Sequence, residues 1–336
     1  MTMYLDKLLA GKNLTRHESY ALFLQMTTYP LLQQAEILRA FAKKRETATE
    51  LLGAMDALLK HSAIIDYPSE VIDIVGTGGD GLKTFNISTA ASLVVASCGV
   101  TVAKHGGGRV TSLSGSTDVL AALGVPMPQT AASSIQLLRT HGYVYLWAPL
   151  FNPLLSALAE VRKQLGIPTI FNTLGPLINP IRPQRQLLGV YRRHLLSTIV
   201  QVLKASDLHH ALVVHSEDGL DEFSISDVTH VAELRNGLIT EYQITPEDVG
   251  LKYAALQDIV GGNSTENADI IRNIFAGRIK DAKLDIVLLN SAAGLFIANK
   301  VATLKEGVEM ARSVIASGIT ATFLHTLQSI SIEGQS

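Results

Sequence analysis

At 336 residues the chain is long enough for one large or two unequal domains, and 47% hydrophobic against 17% charged residues exclude general disorder. The formal net charge of -2 offers no basic excess for nucleic acid, and no Lys/Arg block suggests a membrane surface. The one cysteine, Cys98, lies in the apolar run SLVVASCGV; no disulfide can form within the chain, a reducing compartment is favoured, and the thiol reads as a core residue.

In chain order, the opening MTMYLDKLLAGKNL has no long apolar run and no small-residue cleavage site, so no signal peptide is expected. No stretch of about 20 uncharged apolar residues predicts a membrane span. Residues 1–65 read as helical. Thr15 and Glu18 have capping-box spacing ahead of YALFLQM, and Thr47 and Glu50 repeat it ahead of LLGAMDALL. The character changes near Tyr67-Pro68. VIDIV (71–75), TVAK (101–104), YVYLWAP (143–149), QLLGVY (186–191) and HALVVH (210–215) are short apolar runs that suit buried parallel strands, with helix-like segments between them. The Pro-rich segment 168–183 has little regular periodicity and reads as a crossing between domains or a ligand-positioning loop. VTHVAEL and LITEYQI flank Arg235-Asn236-Gly237, a hairpin signal. After Pro246 the pattern is helical, with Thr303 and Glu306 capping one helix. The expected class is α/β: a small all-helical N-terminal domain (1–68, joined by part of 160–185) and a larger α/β domain (69–336) with a mainly parallel central sheet.

Two glycine-rich loops follow predicted strands. In DIVGTGGDGLKTFNIST (73–89), Gly76, Gly78, Gly79 and Gly81 let backbone N–H groups approach an anion. The helix starting near Asn86 or Ser88 adds free N–H groups, its dipole and the side chains of Asn86, Ser88 and Thr89. This spacing is neither a Walker A loop nor GxGxxG. It predicts either a diphosphate cradle or a tight strand–helix turn. In KHGGGRVTSLSGS (104–116), Lys104 and Arg109 offer cations, and Thr111, Ser112, Ser114 and Ser116 offer hydroxyl donors. His105 reads as a packed loop histidine or as a group titrating near neutrality. Both loops sit where open α/β sheets bind ligands. Asp218-Gly219-Leu220-Asp221-Glu222 follows another strand. Its carboxylates suit Mg2+, which prefers oxygen ligands and often bridges to substrate phosphates; a solvated acidic patch is the alternative.

The ordered set DIVGTGGD, NIST, KHG, SGSTDVLAALG, VRKQLGIPTIFNTLGPLINP, QLLGVY, GLDEFS and LLNSAAGLF, spread over residues 70–315, resembles the signature segments of the anthranilate phosphoribosyltransferase family. The resemblance implies transfer of the phosphoribosyl group from phosphoribosyl diphosphate to the amine of anthranilate, in tryptophan biosynthesis, by a cytoplasmic homodimer joined through its helical domains. It implies that Gly76, Gly79, Asp80, Thr84, Asn86, Ser88, Thr89, Lys104 and Ser116 contact phosphoribosyl diphosphate. It also implies that Ser88, Asp221 and Glu222 ligate Mg2+, and that Arg162 faces the acceptor carboxylate beside Gly76, Gly107 and Asn152. Closure of a cleft is expected, with hinges near 66–72 and 160–185.

Four positions depart from the family pattern. Gly107-Gly108 replaces Asn-Arg, Asn152 replaces His before Pro153, and Leu113 replaces a Lys. The donor side is intact while two acceptor contacts differ. That leaves a second reading open, a transferase of the same fold with a different aromatic or heterocyclic acceptor. A nucleoside phosphorylase and a non-catalytic binding protein of the same fold are further alternatives; a nucleic-acid binder would need a basic stripe that this sequence lacks.

Overall fold

The structure, a computed structural model, describes residues 2–107 and 114–330, with the side chain of Thr2 excluded. Four helices open the chain: Thr2–Leu9, Arg16–Gln25, Leu31–Lys44 and Ala48–Lys60. Thr15 and Thr47 each accept from the backbone N–H three residues on, and Glu18 and Glu50 accept from the Thr15 and Thr47 N–H in return, as the spacing predicts. Glu50 also accepts from Leu14 N at 2.9 Å and Lys44 Nζ at 2.8 Å, so one buried carboxylate ties together three segments of the helical part.

Seven strands follow: β1 (Ile72–Gly76), β2 (Val102–Gly106), β3 (Tyr143–Trp147), β4 (Arg185–Gly189), β5 (His210–Ser216), β6 (Thr229–Arg235) and β7 (Leu238–Ile244). They form one sheet in the order β3-β2-β1-β4-β5-β6-β7. The first five are parallel, and β6 and β7 are antiparallel to their neighbours. Asn236 (φ 50°) and Gly237 (φ 78°) make the left-handed turn that an Asn-Gly pair permits, confirming the hairpin.

Alternate residues of the strands serve two cores. Ile72, Ile74, Leu187, Leu212 and Val214 face the helices Ile87–Ser97 and Ala282–Ile297. Val75, Leu188, Val190, Ala211 and Val213 face the opposite core, shared with the N-terminal helices and the helix Leu195–Ala205. This two-sided burial explains why the strands read as continuous apolar runs.

The chain leaves β1 towards β2 and β3, then returns to place β4 on the other side of β1. The crevice at the carboxyl ends of β1 and β4 is therefore the topological switch point, where such sheets hold ligands. The Pro-rich crossing differs from its expected irregularity. It contains the helix Ile170–Leu174 and a 3-10 turn, Gly175–Leu177, and residues 169–174 are buried. The two predicted hinge segments adjoin one another, since Val71 N donates to Gln184 Oε1 at 3.1 Å.

Candidate active site

At the switch point Gly76 ends β1 and Gly189 ends β4, and the two are paired in register. A Cβ on Gly76 would lie 2.5 Å from Asp221 Oδ2, and one on Gly189 would lie 1.6 Å from Asp221 O. The paired glycines thus clear the space into which Asp221 is wedged, directly above the sheet. Gly189 carried no sequence signal for this role.

Asp221 draws the first glycine loop onto itself. Its Oδ2 accepts from Gly78 N at 2.6 Å and from Thr77 Oγ1 at 3.5 Å, and Thr77 Oγ1 in turn accepts from Tyr191 N at 3.1 Å. Gly79 and Gly81 have φ of 94° and 75°, left-handed conformations that glycine supplies without strain. Asp80 Oδ1 accepts from Leu82 N at 3.2 Å. Thr84 forms an isolated antiparallel bridge with Val260, closing the loop's far end.

The next helix, Ile87–Ser97, starts where predicted, but its first N–H groups are not all free. Ser88 N donates to Glu222 Oε1 at 3.1 Å. Asn86 is the N-cap residue, but its side chain makes no capping bond. Its side chain bonds Ser114 and Asn267, joining both ends of the donor region to the helix Ser264–Phe275. Thr89 Oγ1 donates to Ser116 Oγ at 3.2 Å. Gly108, Arg109, Thr111, Ser112 and Leu113 lie outside the described residues.

Lys104 ends the expected strand, while His105 corrects the expectation that it sits on a loop. Both belong to β2 and both are 1% exposed. Lys104 Nζ donates to Ile74 O at 2.6 Å and to Ser88 Oγ at 3.2 Å, so its charge lies beneath the helix start. His105 Nδ1 is 3.1 Å from Gly175 O, and burial pulls its pKa down to about 4, well away from neutrality. Cys98 is half-buried against the core, and burial pushes its thiol up to about 11.

The acidic group is electrostatically unbalanced. Burial raises Asp221 well above the usual carboxylate range, and the charges of Asp80 and Glu222 add to the shift. Burial likewise raises Glu222 to about 7, opposed by Lys104, and raises Asp80. The Lys104 ammonium is pulled down by burial, against the opposing pull of Asp73, Glu222 and Asp221. Three carboxylates against one cation, with the Ser88 hydroxyl beside them, are a hard-oxygen donor set that suits Mg2+. Among the described residues no three His, Cys, Asp or Glu side chains form a ready-made cage. Asp218 does different work: it accepts from Leu220 N, Ser224 Oγ and Ser226 Oγ and shapes the turn.

A second set of polar groups near the crevice has no protein partners among the described residues. Arg162 is largely buried and its guanidinium lies 5.4 Å from the centroid of the Phe171 ring. Burial lowers its pKa, and no hydrogen bond or ion pair to it exists among the described residues. Asn152 is fully buried, and neither of its amide atoms has a partner. Gly107 has open space where a Cβ would sit. Asn172 carried no motif that would single it out in the sequence. Its Oδ1 accepts from Thr169 N at 3.0 Å, which turns its unpartnered Nδ2 to within 3.7 Å of where a Cβ on Gly79 would sit.

Comparison with known proteins covers the whole fold. Residues 2–62 match the helical bundle domain of a glycosyl transferase family, and residues 68–321 match the a/b domain of the same family. An anthranilate phosphoribosyltransferase of Lacticaseibacillus paracasei is 42% identical over 316 residues, 94% of this chain and 92% of the relative. The crystal structure of the anthranilate phosphoribosyltransferase from Thermus thermophilus aligns with a TM-score of 0.89 at 35% identity, covering 97% of this chain and 98% of that one. The anthranilate phosphoribosyltransferase from Saccharomyces cerevisiae in complex with PRPP and Mg aligns with a TM-score of 0.88 at 28% identity, covering 98% of each chain.

Proposed function

The chain belongs to the anthranilate phosphoribosyltransferase family of glycosyl transferases, and from that premise we propose that it transfers the phosphoribosyl group of phosphoribosyl diphosphate to the amine of anthranilate, a step of tryptophan biosynthesis. The observation that carries this reading is the seating of Asp221 on Gly76, Gly78 and Gly189, with Glu222 on the Ser88 amide. It assembles carboxylates, glycine backbone and helix start at one point of the switch crevice.

In this reading Gly79, Asp80, Thr84, Asn86, Thr89 and Ser116 line the donor, and Lys104 sets the potential beneath Ser88. Ser88, Asp221 and Glu222 would hold Mg2+, which would supply charge neutralisation for the leaving diphosphate. As the ribose C1–oxygen bond breaks, C1 gains oxocarbenium character and loop N–H groups stabilise the departing anion. The acceptor amine then bonds to C1 and loses a proton. Arg162, desolvated and without a counter-ion, takes the acceptor carboxylate through charge-assisted hydrogen bonds, beside Gly76, Gly107 and Asn152. An amine of this kind is already a nucleophile, so positioning and exclusion of water are the protein's main work.

The test is diphosphate release from phosphoribosyl diphosphate with Mg2+, followed beside loss of anthranilate fluorescence. Release that requires anthranilate supports the reading. Donor binding with no consumption of anthranilate overturns it in favour of a second reading, another aromatic or heterocyclic acceptor. That reading is favoured by Asn152, whose buried amide offers both a donor and an acceptor. Competition by such acceptors against donor turnover would then identify the class.

We further propose a homodimer through the helical part, where Met3, Leu9, Leu31 and Leu32 are exposed apolar side chains; the mass in solution and its change in a Leu32→Glu variant test this. A cytoplasmic location fits the lone cysteine. No helix among the described residues is long and apolar enough to cross a membrane.

A further inference from the structure

Between the helices Leu31–Lys44 and Ala48–Lys60 the chain makes a turn that is both strained and rigidly mounted. Arg45 has φ 70° and ψ 137°, left-handed backbone that favours glycine. Its carbonyl accepts from Lys44 Nζ at 2.9 Å, and the same ammonium is bonded to Asn13 and Glu50. On the other side Thr47 is fixed as the N-cap of the following helix, again through Glu50. Glu46 stands between these two anchors, so the turn projects its carboxylate in one direction.

That direction is out of the helical part and into the crossing segment. Glu46 Oε1 accepts from Thr173 Oγ1 at 2.6 Å, over 127 residues of sequence. Thr173 is fully buried. Its helix, Ile170–Leu174, has five residues, too few to hold its own geometry in water. The same helix carries Phe171, on whose ring Arg162 lies, and Asn172, whose free amide faces Gly79. The three successive side chains thus touch the acceptor cation, the donor loop and the helical part in turn.

We propose that Glu46 is a positioning residue for the acceptor: through Thr173 it fixes the helix Ile170–Leu174, and so sets Phe171 with Arg162 and Asn172 against the donor loop. This rests on the acceptor lying at Arg162, as in the proposed function. Glu46 touches no reacting atom in this role. The strain at Arg45 is the local cost of aiming it.

The test compares Glu46→Ala, Thr173→Val and Glu46→Gln with the parent protein, varying anthranilate and phosphoribosyl diphosphate separately. Loss of one part-buried, charge-assisted bond is expected to raise KM for anthranilate about tenfold in Glu46→Ala and Thr173→Val, while KM for the donor stays within about twofold. Glu46→Gln restores most of the loss, because its amide oxygen still accepts from Thr173. Equal rises in both KM values, or a lowered Tm with unchanged kinetics, overturn the proposal. Amide hydrogen exchange across residues 169–175 separates this from failure of the functional reading. Faster exchange in Glu46→Ala but not in Glu46→Gln supports the fixing of the helix whether or not anthranilate is consumed. Unchanged exchange in Glu46→Ala overturns it. A parent protein that does not consume anthranilate, with that exchange pattern intact, overturns only the assignment of the acceptor.

Discussion

The Gly78 amide donates to Asp221 Oδ2 at 2.6 Å, so the loop built to approach an anion closes on a carboxylate of its own chain. That carboxylate is crowded by Asp80 and Glu222 and lies well above the usual range. Replacing it with Asn keeps an oxygen for Gly78 N–H and removes one of the crowded charges. Asp221→Asn is expected to raise Tm in metal-free buffer by a few degrees, about 1–2 kcal/mol, and to lower Mg2+-supported turnover at least ~100-fold. Calorimetry with and without Mg2+ checks this; a lower Tm for the variant would show that the charges are not mutually repulsive.

Glu222 gives a pH dependence with a definite sign. Its folded pKa is about 7 against an ordinary 4.5. Between those values the unfolded chain has released a proton that the folded chain keeps, so stability from this group falls as pH rises through that window. Burial of His105, held at about 4, acts in the opposite sense over part of the same range. The clean quantity is therefore a difference: Tm of the parent minus Tm of Glu222→Gln should fall from pH 4.5 to 7 and level off above it. A difference that grows with pH contradicts the assignment. Excess Mg2+ should flatten the curve, since a bound ion favours the charged form.

Gly189 and Gly78 should respond unequally to the same methyl group. At Gly189 the added carbon meets a backbone oxygen at 1.6 Å, which no rotamer change relieves. Gly189→Ala is expected to cost about 3 kcal/mol or more. Gly78 has φ 62° with nothing within 4 Å, so Gly78→Ala carries only backbone strain of about 1 kcal/mol. Urea midpoints decide; equal losses would mean that Asp221 is not wedged between the strand ends.

Arg162 is a buried cation without a counter-ion among the described residues. Arg162→Met keeps an unbranched apolar stem beside Phe171 while removing an uncompensated charge, so Tm should hold or rise. KM for anthranilate should rise by roughly 30-fold or more, the loss of a charge-assisted pair. A fall in Tm of several degrees would reveal a structural partner for the guanidinium instead.

Local chemistry made most of the fold legible. The capping boxes at Thr15 and Thr47 and the Asn236-Gly237 turn involve residues within three positions of each other, and each formed as its spacing predicts. The strands were readable because both faces are buried. What escaped the sequence lies in pairings across long separations. Glu222 takes the Ser88 amide over 134 residues, Asn267 takes Asn86 over 181, and Asn179 holds Asp73 over 106. Lys104 illustrates the difference: its motif marks a cation, and only the fold shows its Nζ on Ile74 O and Ser88 Oγ at the helix start. The Pro-rich crossing hid a helix because its start is held by one bond, Thr169 N–H to Asn172 Oδ1, from a residue that few sequence patterns would flag.

The wedge of Asp221 between paired glycines also separates two kinds of evolvability. The donor's carboxylates are registered to strand ends, where even a methyl group is refused. Phe171 and Asn172 ride on the crossing segment, and Arg162 lies against the Phe171 ring; side-chain bonds and core packing hold them, not strand register. Retuning towards another amine therefore asks for exchanges among packed side chains, while the carboxylate seat stays fixed with the sheet.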